Sequence, residues 1–164
     1  MKRKVAEAGM IAALYVALCF LVLPLASGAI QCRVGEALCV LPVFTAAGIP
    51  GVTIGCFLFN LLSGGAVWDV IFGTLATLIG AIGTRLLRKA KPKALALLPP
   101  VLSNTLIIPF VLKFAYGLEG TIWFFMLTVC AGEIVSVLIL GSILRYALEK
   151  EKRIFPPENT GDEE

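Results

Sequence analysis

Gln31, Arg33, Glu36, Asn60, Asp69, Asn104 and Glu133 stand among apolar neighbours in a chain that contains no histidine. Carboxylates and carboxamides without imidazole, a nucleophile elbow, a P-loop or metal-ligand spacing are poor catalytic equipment. They suit recognition: a carboxylate accepts adjacent N–H groups, and an amide offers donors and an acceptor together. Trp68, next to Asp69, serves either as a stacking surface for a flat ring or as an interfacial anchor.

Each polar residue also has a structural role open to it. Arg33 and Glu36 are three apart and can pair with each other, or Glu36 can sit in a first helical turn where the dipole favours a carboxylate. Alternatively, Glu36 receives two ligand N–H groups, with Gln31 and Arg33 closing over it. Asp69 suits a helix start. Asn60, Trp68, Asp69 and Glu36 would border one cavity. Glu133 falls about 18 Å along its helix at ~1.5 Å per residue, a depth at which an ionisable group marks a functional site or a buried pair. Asn104, at similar depth, suits a heterocycle edge or a helix-to-helix hydrogen bond.

The surroundings that position these groups are a membrane bundle. The 164 residues are 59% hydrophobic and 15% charged, with mean hydropathy +0.94; soluble chains average about 25% charged. Five or six spans of about 20 residues would use most of the length, leaving one domain over 1–148 and a charged tail over 149–164 with the composition of a disordered segment. The five cysteines show no C-x-x-C spacing and read as small packing residues.

Along the chain, the first helix is expected from Val5 to Leu23, longer than a signal-peptide core. Its small residues repeat at i, i+4: Ala8 with Ala12, Gly9 with Ala13, Ala13 with Ala17. Such stripes admit close helix approach, inside the protein or by a partner. Two short helices follow, near Gly35–Ala47 and Pro50–Ser63, because one span through Pro50 would need about 40 Å of helix with a proline inside. A fourth is expected from Val67 to Lys89, a fifth from Ala94 to Phe114 interrupted by prolines, and a sixth from Thr121 to Leu148. With both termini inside, 12 of the 14 basic residues are cytoplasmic and only Arg33 and Lys113 are outside.

Taken in order, Gln31-Cys32-Arg33-Val34-Gly35-Glu36-Ala37-Leu38 with Leu41-Pro42, Ile49-Pro50-Gly51 with Gly55-Cys56 and Asn60, Asp69 with Phe72-Gly73-Thr74-Leu75-Ala76-Thr77, and Gly132-Glu133 resemble the substrate-binding S components of energy-coupling factor (ECF) transporters, the QueT queuosine-precursor family in particular. A serine commonly precedes the glutamate in that family, where this chain has Gly35. The resemblance implies an all-α bundle of six transmembrane helices in the cell membrane, N-in and C-in, with a site open to the exterior. It implies a partner, the transmembrane coupling subunit EcfT, docked on the first helix, where Ala8 and Ala12 match the pattern. Two cytoplasmic ATPases would use ATP, and the chain itself would need no cofactor, metal or nucleic acid. The implied substrate is a 7-deazaguanine, queuine or its aminomethyl or nitrile precursor, bound by Gln31, Arg33, Glu36, Asn60, Trp68, Asp69, Asn104 and Glu133. An S component for a different vitamin and an assembly subunit without a ligand are the alternatives, with a membrane enzyme third.

Overall fold

Hydropathy and small-residue spacing dictate helices throughout, and in the computed structural model all regular elements among the described residues, 2–26 and 33–151, are helical. α1 is Lys2–Leu21, followed by the short α2, Leu23–Ala26. A 3₁₀ helix spans Val34–Val43. α3 is Gly48–Leu62 and α4 is Val67–Leu86. A 3₁₀ turn, Lys93–Leu97, leads into α5, Leu98–Phe114. α6, Ile122–Glu133, continues through a π-helical stretch, Ile134–Leu140, into α7, Gly141–Lys150. Four stretches are long and apolar enough to cross a membrane: Lys2–Leu21, Val67–Leu86, Lys93–Phe114 and Ile122–Lys150.

The 3₁₀ helix is the axis. Its residues Gly35 to Pro42 are all buried, and it touches α1, α3, α4, α7 and the π stretch, while the other helices pack in sequence order, α1 on α3, α3 on α4, α4 on α5 and α5 on α6. An ordinary helix was expected here. Ten residues wound at a rise of ~2.0 Å reach about 20 Å, against about 15 Å as α-helix, so a short segment threads most of the bundle. Pro42 lacks an N–H, and the segment ends in a turn where the N–H groups of Phe44 and Thr45 both donate to Leu41 O, at 2.9 and 3.0 Å.

Three of the prolines sit where a missing N–H costs least, whereas Pro109 lies inside α5, which runs on through it. Pro50 falls in the first turn of α3, and Pro99 and Pro100 form the first turn of α5 instead of interrupting it. Close helix contacts use glycine: a Cβ on Gly51 would stand 2.7 Å from Ile11 Cβ, and one on Gly80 2.6 Å from Pro100 Cα. Both small-residue ridges of α4, Gly73-Thr77-Ala81 and Ala76-Gly80-Thr84, are buried.

The outer surface carries large apolar side chains, among them Ile71, Leu75 and Ile79 on α4 and Leu102, Leu106 and Phe110 on α5. Only a hydrocarbon surrounding makes such an exterior favourable. The chain is therefore a multi-pass membrane protein. At one end, Arg145 Nη1 donates to Lys93 O at 2.7 Å and its Nε pairs with Glu149 at 3.0 Å. There Arg85 Nη1 also donates to Pro42 O at 3.2 Å, closing the end of the 3₁₀ helix.

Candidate functional site: buried carboxylates around the 3₁₀ helix

Glu36 enters the bundle on the first turn of the 3₁₀ helix and is 1% exposed. Its Oε1 accepts the hydroxyl of Tyr15, a fully buried side chain of α1, and its Oε2 accepts the Cys39 thiol at 3.0 Å. Gly35 makes room for this arrangement, because a Cβ there would lie 2.5 Å from Cys19 Sγ and 2.8 Å from Tyr15 O. A serine at position 35 would not fit this packing.

Arg33 does not close a local pair with Glu36; its Nη2 reaches Asp69 Oδ2 at 3.4 Å, with both side chains buried. The guanidinium carbon also lies 5.8 Å from the Phe59 ring centroid, within cation–π range. Asp69 is in the first turn of α4, where a carboxylate suits the helix dipole. Its Oδ2 accepts the Tyr116 hydroxyl at 2.9 Å, and its backbone carbonyl accepts Asn60 Nδ2 at 3.2 Å. Tyr116 also accepts the Ala66 N–H at 3.1 Å, fastening the loop after α5 to the start of α4. Burial pushes the Tyr116 hydroxyl above the ordinary tyrosine pKa, and the Asp69 carboxylate adds to the rise.

Across the bundle, Asn104 Nδ2 on α5 donates to Glu133 Oε1 at 3.0 Å, each residue being 4% exposed. Among the described residues, Glu133 Oε2 has no hydrogen-bond partner, and neither does Asp69 Oδ1. The π stretch begins one residue after Glu133; such irregular turns occur often at functional positions.

The structure thus gathers Arg33, Asn60 and Asp69 into one linked group and joins Asn104 to Glu133. Gln31 lies outside the described residues. Trp68 is apart from these contacts: it is 56% exposed, stacks on Phe72 at 5.8 Å, and lines an outward groove of about 460 Å³ between α4 and α5 with Leu106 and Phe110. Ala8 and Ala12 are buried in the chain itself, with Ala8 O 3.2 Å from the Cβ position of Gly51. The small residues that α1 turns outward are Gly9, Ala13 and Ala17. Neighbouring helix positions point about 100° apart, so a one-residue offset exchanges an inner stripe for an outer one.

Sequence reasoning passed over Tyr15 and Cys39, the two donors to Glu36. Hydropathy counts both as apolar; the only available signal for Tyr15 was its place on the i, i+4 line Ile11, Tyr15, Cys19, a line the structure buries completely. Among the described residues no group of three or more potential metal ligands exists.

A protein-family model described as QueT transporter matches residues 5–150. No curated protein and no solved structure matches the chain.

Proposed function

This chain belongs to the QueT transporter family, and on that premise we propose that it is the substrate-binding S subunit of an ECF-type transporter, capturing a 7-deazaguanine from outside the cell. The observation that carries the proposal is the joining of that family match to buried carboxylates that keep an open oxygen, Asp69 and Glu133. A guanine-like edge presents adjacent N–H donors, which a buried carboxylate accepts well. The six helical segments would cross or enter the membrane with both termini cytoplasmic, which puts Arg33, Asp69 and Tyr116 at the outer end and Arg85, Lys93 and Arg145 at the inner one.

Uptake in this proposal is driven by EcfT and two ATPases in the cytoplasmic membrane; the S subunit hydrolyses nothing and carries no cofactor. The coupling subunit meets α1 on its outward line, Gly9, Ala13 and Ala17, because Ala8 and Ala12 are already buried within the chain itself. Ligand contacts come from Glu133, Asn104 and Asp69, with Arg33 at the entrance.

Equilibrium binding of queuine, the aminomethyl precursor and the nitrile precursor to the purified, detergent-solubilised chain tests the proposal, with guanine and riboflavin as controls. Saturable binding of at least one deazaguanine in preference to riboflavin is the expected result. Tight riboflavin binding with no deazaguanine binding would move the chain to another vitamin. No binding of any of them by a folded chain would leave an assembly role.

A further inference from the structure

At the end of the bundle that carries Arg85 and Arg145, a crevice of about 230 Å³ opens between the turn Lys93–Leu97 and α7. Lys93, Ser142, Arg145, Tyr146 and Glu149 supply its polar groups, and Leu97 forms part of its apolar wall. Arg145 is 7% exposed; its Nη1 donates to Lys93 O at 2.7 Å and its Nε to Glu149 at 3.0 Å. Lys93 Nζ donates to the other oxygen of Glu149 at 2.6 Å. One carboxylate is therefore clamped between an ammonium and a guanidinium, which shows that this pair of cations is spaced to hold an oxyanion. The clamp has donors to spare: a guanidinium carries five N–H groups and an ammonium three, and toward the described residues Arg145 uses two and Lys93 one.

Charge around the crevice is lopsided. Over residues 88–97 and 141–151 the cations are Arg88, Lys89, Lys91, Lys93, Arg145 and Lys150, against Glu149 and Glu151. Lys150 Nζ stands 4.5 Å from the Tyr146 ring centroid, which brings a further cation to the rim. Two of the apolar stretches, Lys93–Phe114 and Ile122–Lys150, have one limit at the crevice, which sets it at the level where hydrocarbon gives way to headgroups. Ile143 and Ile139, about one and two turns before Tyr146, are exposed at 61% and 51% and continue the surface into the hydrocarbon.

We propose that this crevice is a binding site for an anionic phospholipid, whose phosphate oxygens take N–H groups of Lys93 and Arg145 and whose acyl chains lie along Ile143 and Ile139. Bound there, the lipid fastens the start of α5 to α7. Basic pockets between spanning helices on the cytoplasmic side suit anionic headgroups, and the arginine fork matches phosphate oxygens. The leaflet follows from the topology proposed above. Binding itself does not depend on what the chain captures, so either reading can fail without the other.

Native mass spectrometry of the purified full chain with dioleoyl phosphatidylglycerol or dioleoyl phosphatidylcholine, at equal concentration, tests this. Phosphatidylglycerol is expected to bind at least about tenfold more tightly, the scale of one hydrogen bond between charged groups. Lys93→Gln removes an exposed charge and keeps the carbonyl that holds Arg145; it is expected to bring the preference within about threefold. Lys91→Gln, at a position outside the crevice lining, should leave it within about twofold of the native value. Ser142→Glu, which adds a carboxylate on an exposed part of the wall, should also abolish the preference and gives a second reading should Lys93→Gln fail to fold. Equal binding of the two lipids by the native chain overturns the proposal. An undiminished preference in folded Lys93→Gln or Ser142→Glu does so too, and equal losses in Lys91→Gln and Lys93→Gln replace the site with diffuse attraction to a basic surface. Displacement of phosphatidylglycerol by an equal concentration of inorganic phosphate would make the occupant a free oxyanion and overturn the lipid.

Discussion

The Tyr15 hydroxyl on α1 donates to Oε1 of Glu36 on the 3₁₀ helix, a bond across 21 residues of sequence between two side chains that solvent hardly reaches. Tyr15→Phe removes that donor and leaves the carboxylate oxygen buried without it. The expected loss is about 1–3 kcal/mol of stability, the desolvation cost of an unsatisfied buried acceptor. A lower unfolding midpoint in detergent checks it; an unchanged midpoint would mean that Glu36 does not depend on Tyr15.

Glycine sets the distance between α1 and α3. A Cβ on Gly55 would lie 2.6 Å from Tyr15 Cβ and 2.8 Å from its Cγ, atoms close to the backbone that cannot swing aside. Gly55→Ala should therefore force the helices apart and cost about 1–3 kcal/mol by overpacking. Gly9→Ala meets nothing within 4 Å and should leave the unfolding midpoint of the isolated chain the same or slightly raised, as helix propensity favours alanine. Similar losses in both variants would contradict this packing.

Arg33 and Asp69 form a buried ion pair whose separate halves are worth more than the whole. Arg33→Ala or Asp69→Asn alone should each cost about 3–5 kcal/mol, because each removes the opposite charge from a group buried in low dielectric. The double variant should cost clearly less than the sum of the two. A double-mutant cycle on unfolding free energy measures the coupling, and strict additivity would show that the pair does not act as a unit.

If the proposed coupling subunit docks on α1, the two faces of that helix should separate folding from partnership. Ala13→Leu, on the outward line, should leave ligand binding intact and reduce recovery of the chain with the coupling subunit and ATPases by roughly tenfold, as expected when a close helix contact is blocked. Ala12→Leu enlarges a residue that is 4% exposed and should lower the unfolding midpoint of the isolated chain instead. Co-purification and thermal melting, applied to both variants, distinguish the two effects. The reverse pattern would assign docking to Ala8 and Ala12.

Alkaline pH should loosen the loop after α5. The pKa of Tyr116 in the folded chain is raised, by burial first and then by Asp69, above the ordinary tyrosine value of 10.0. A group with a raised folded pKa contributes stability that is complete below the unfolded value and is lost as pH rises through the folded one. The contribution is thus full below pH 10 and falls above it. Tyr116→Phe should flatten the alkaline limb of the stability profile; a limb of unchanged slope would remove Tyr116 as its cause.

Much of this architecture could be read from the order of residues. Runs of apolar residues specify spanning helices by length, Pro50 divides what would otherwise be one overlong span, and basic residues cluster at the turns expected inside. The small-residue ridges of α4 follow from i, i+4 spacing and are buried as that spacing implies. The polar positions were legible too, since Glu36, Asp69, Asn104 and Glu133 are expensive wherever hydrocarbon surrounds them.

What the chain order left open was decided by three-dimensional neighbours. Nothing local distinguishes a 3₁₀ helix at Val34–Val43 from an α-helix; the need to thread the bundle centre selects the more extended winding. Pairing was equally nonlocal: Arg33 takes Asp69, 36 residues away, over Glu36 three residues away, and Glu36 takes Tyr15. Periodicity shows that α1 has stripes of small residues but not which stripe faces in, because both satisfy the same spacing and only the fit of Gly51 and Gly55 against Ile11 and Tyr15 settles the rotation. Residue types determined that this protein is a membrane bundle with acidic groups among its helices. The tertiary structure alone determined which of those groups are already satisfied and which oxygens remain open, because hydrogen-bond satisfaction depends on distances between helices that sequence separation does not encode.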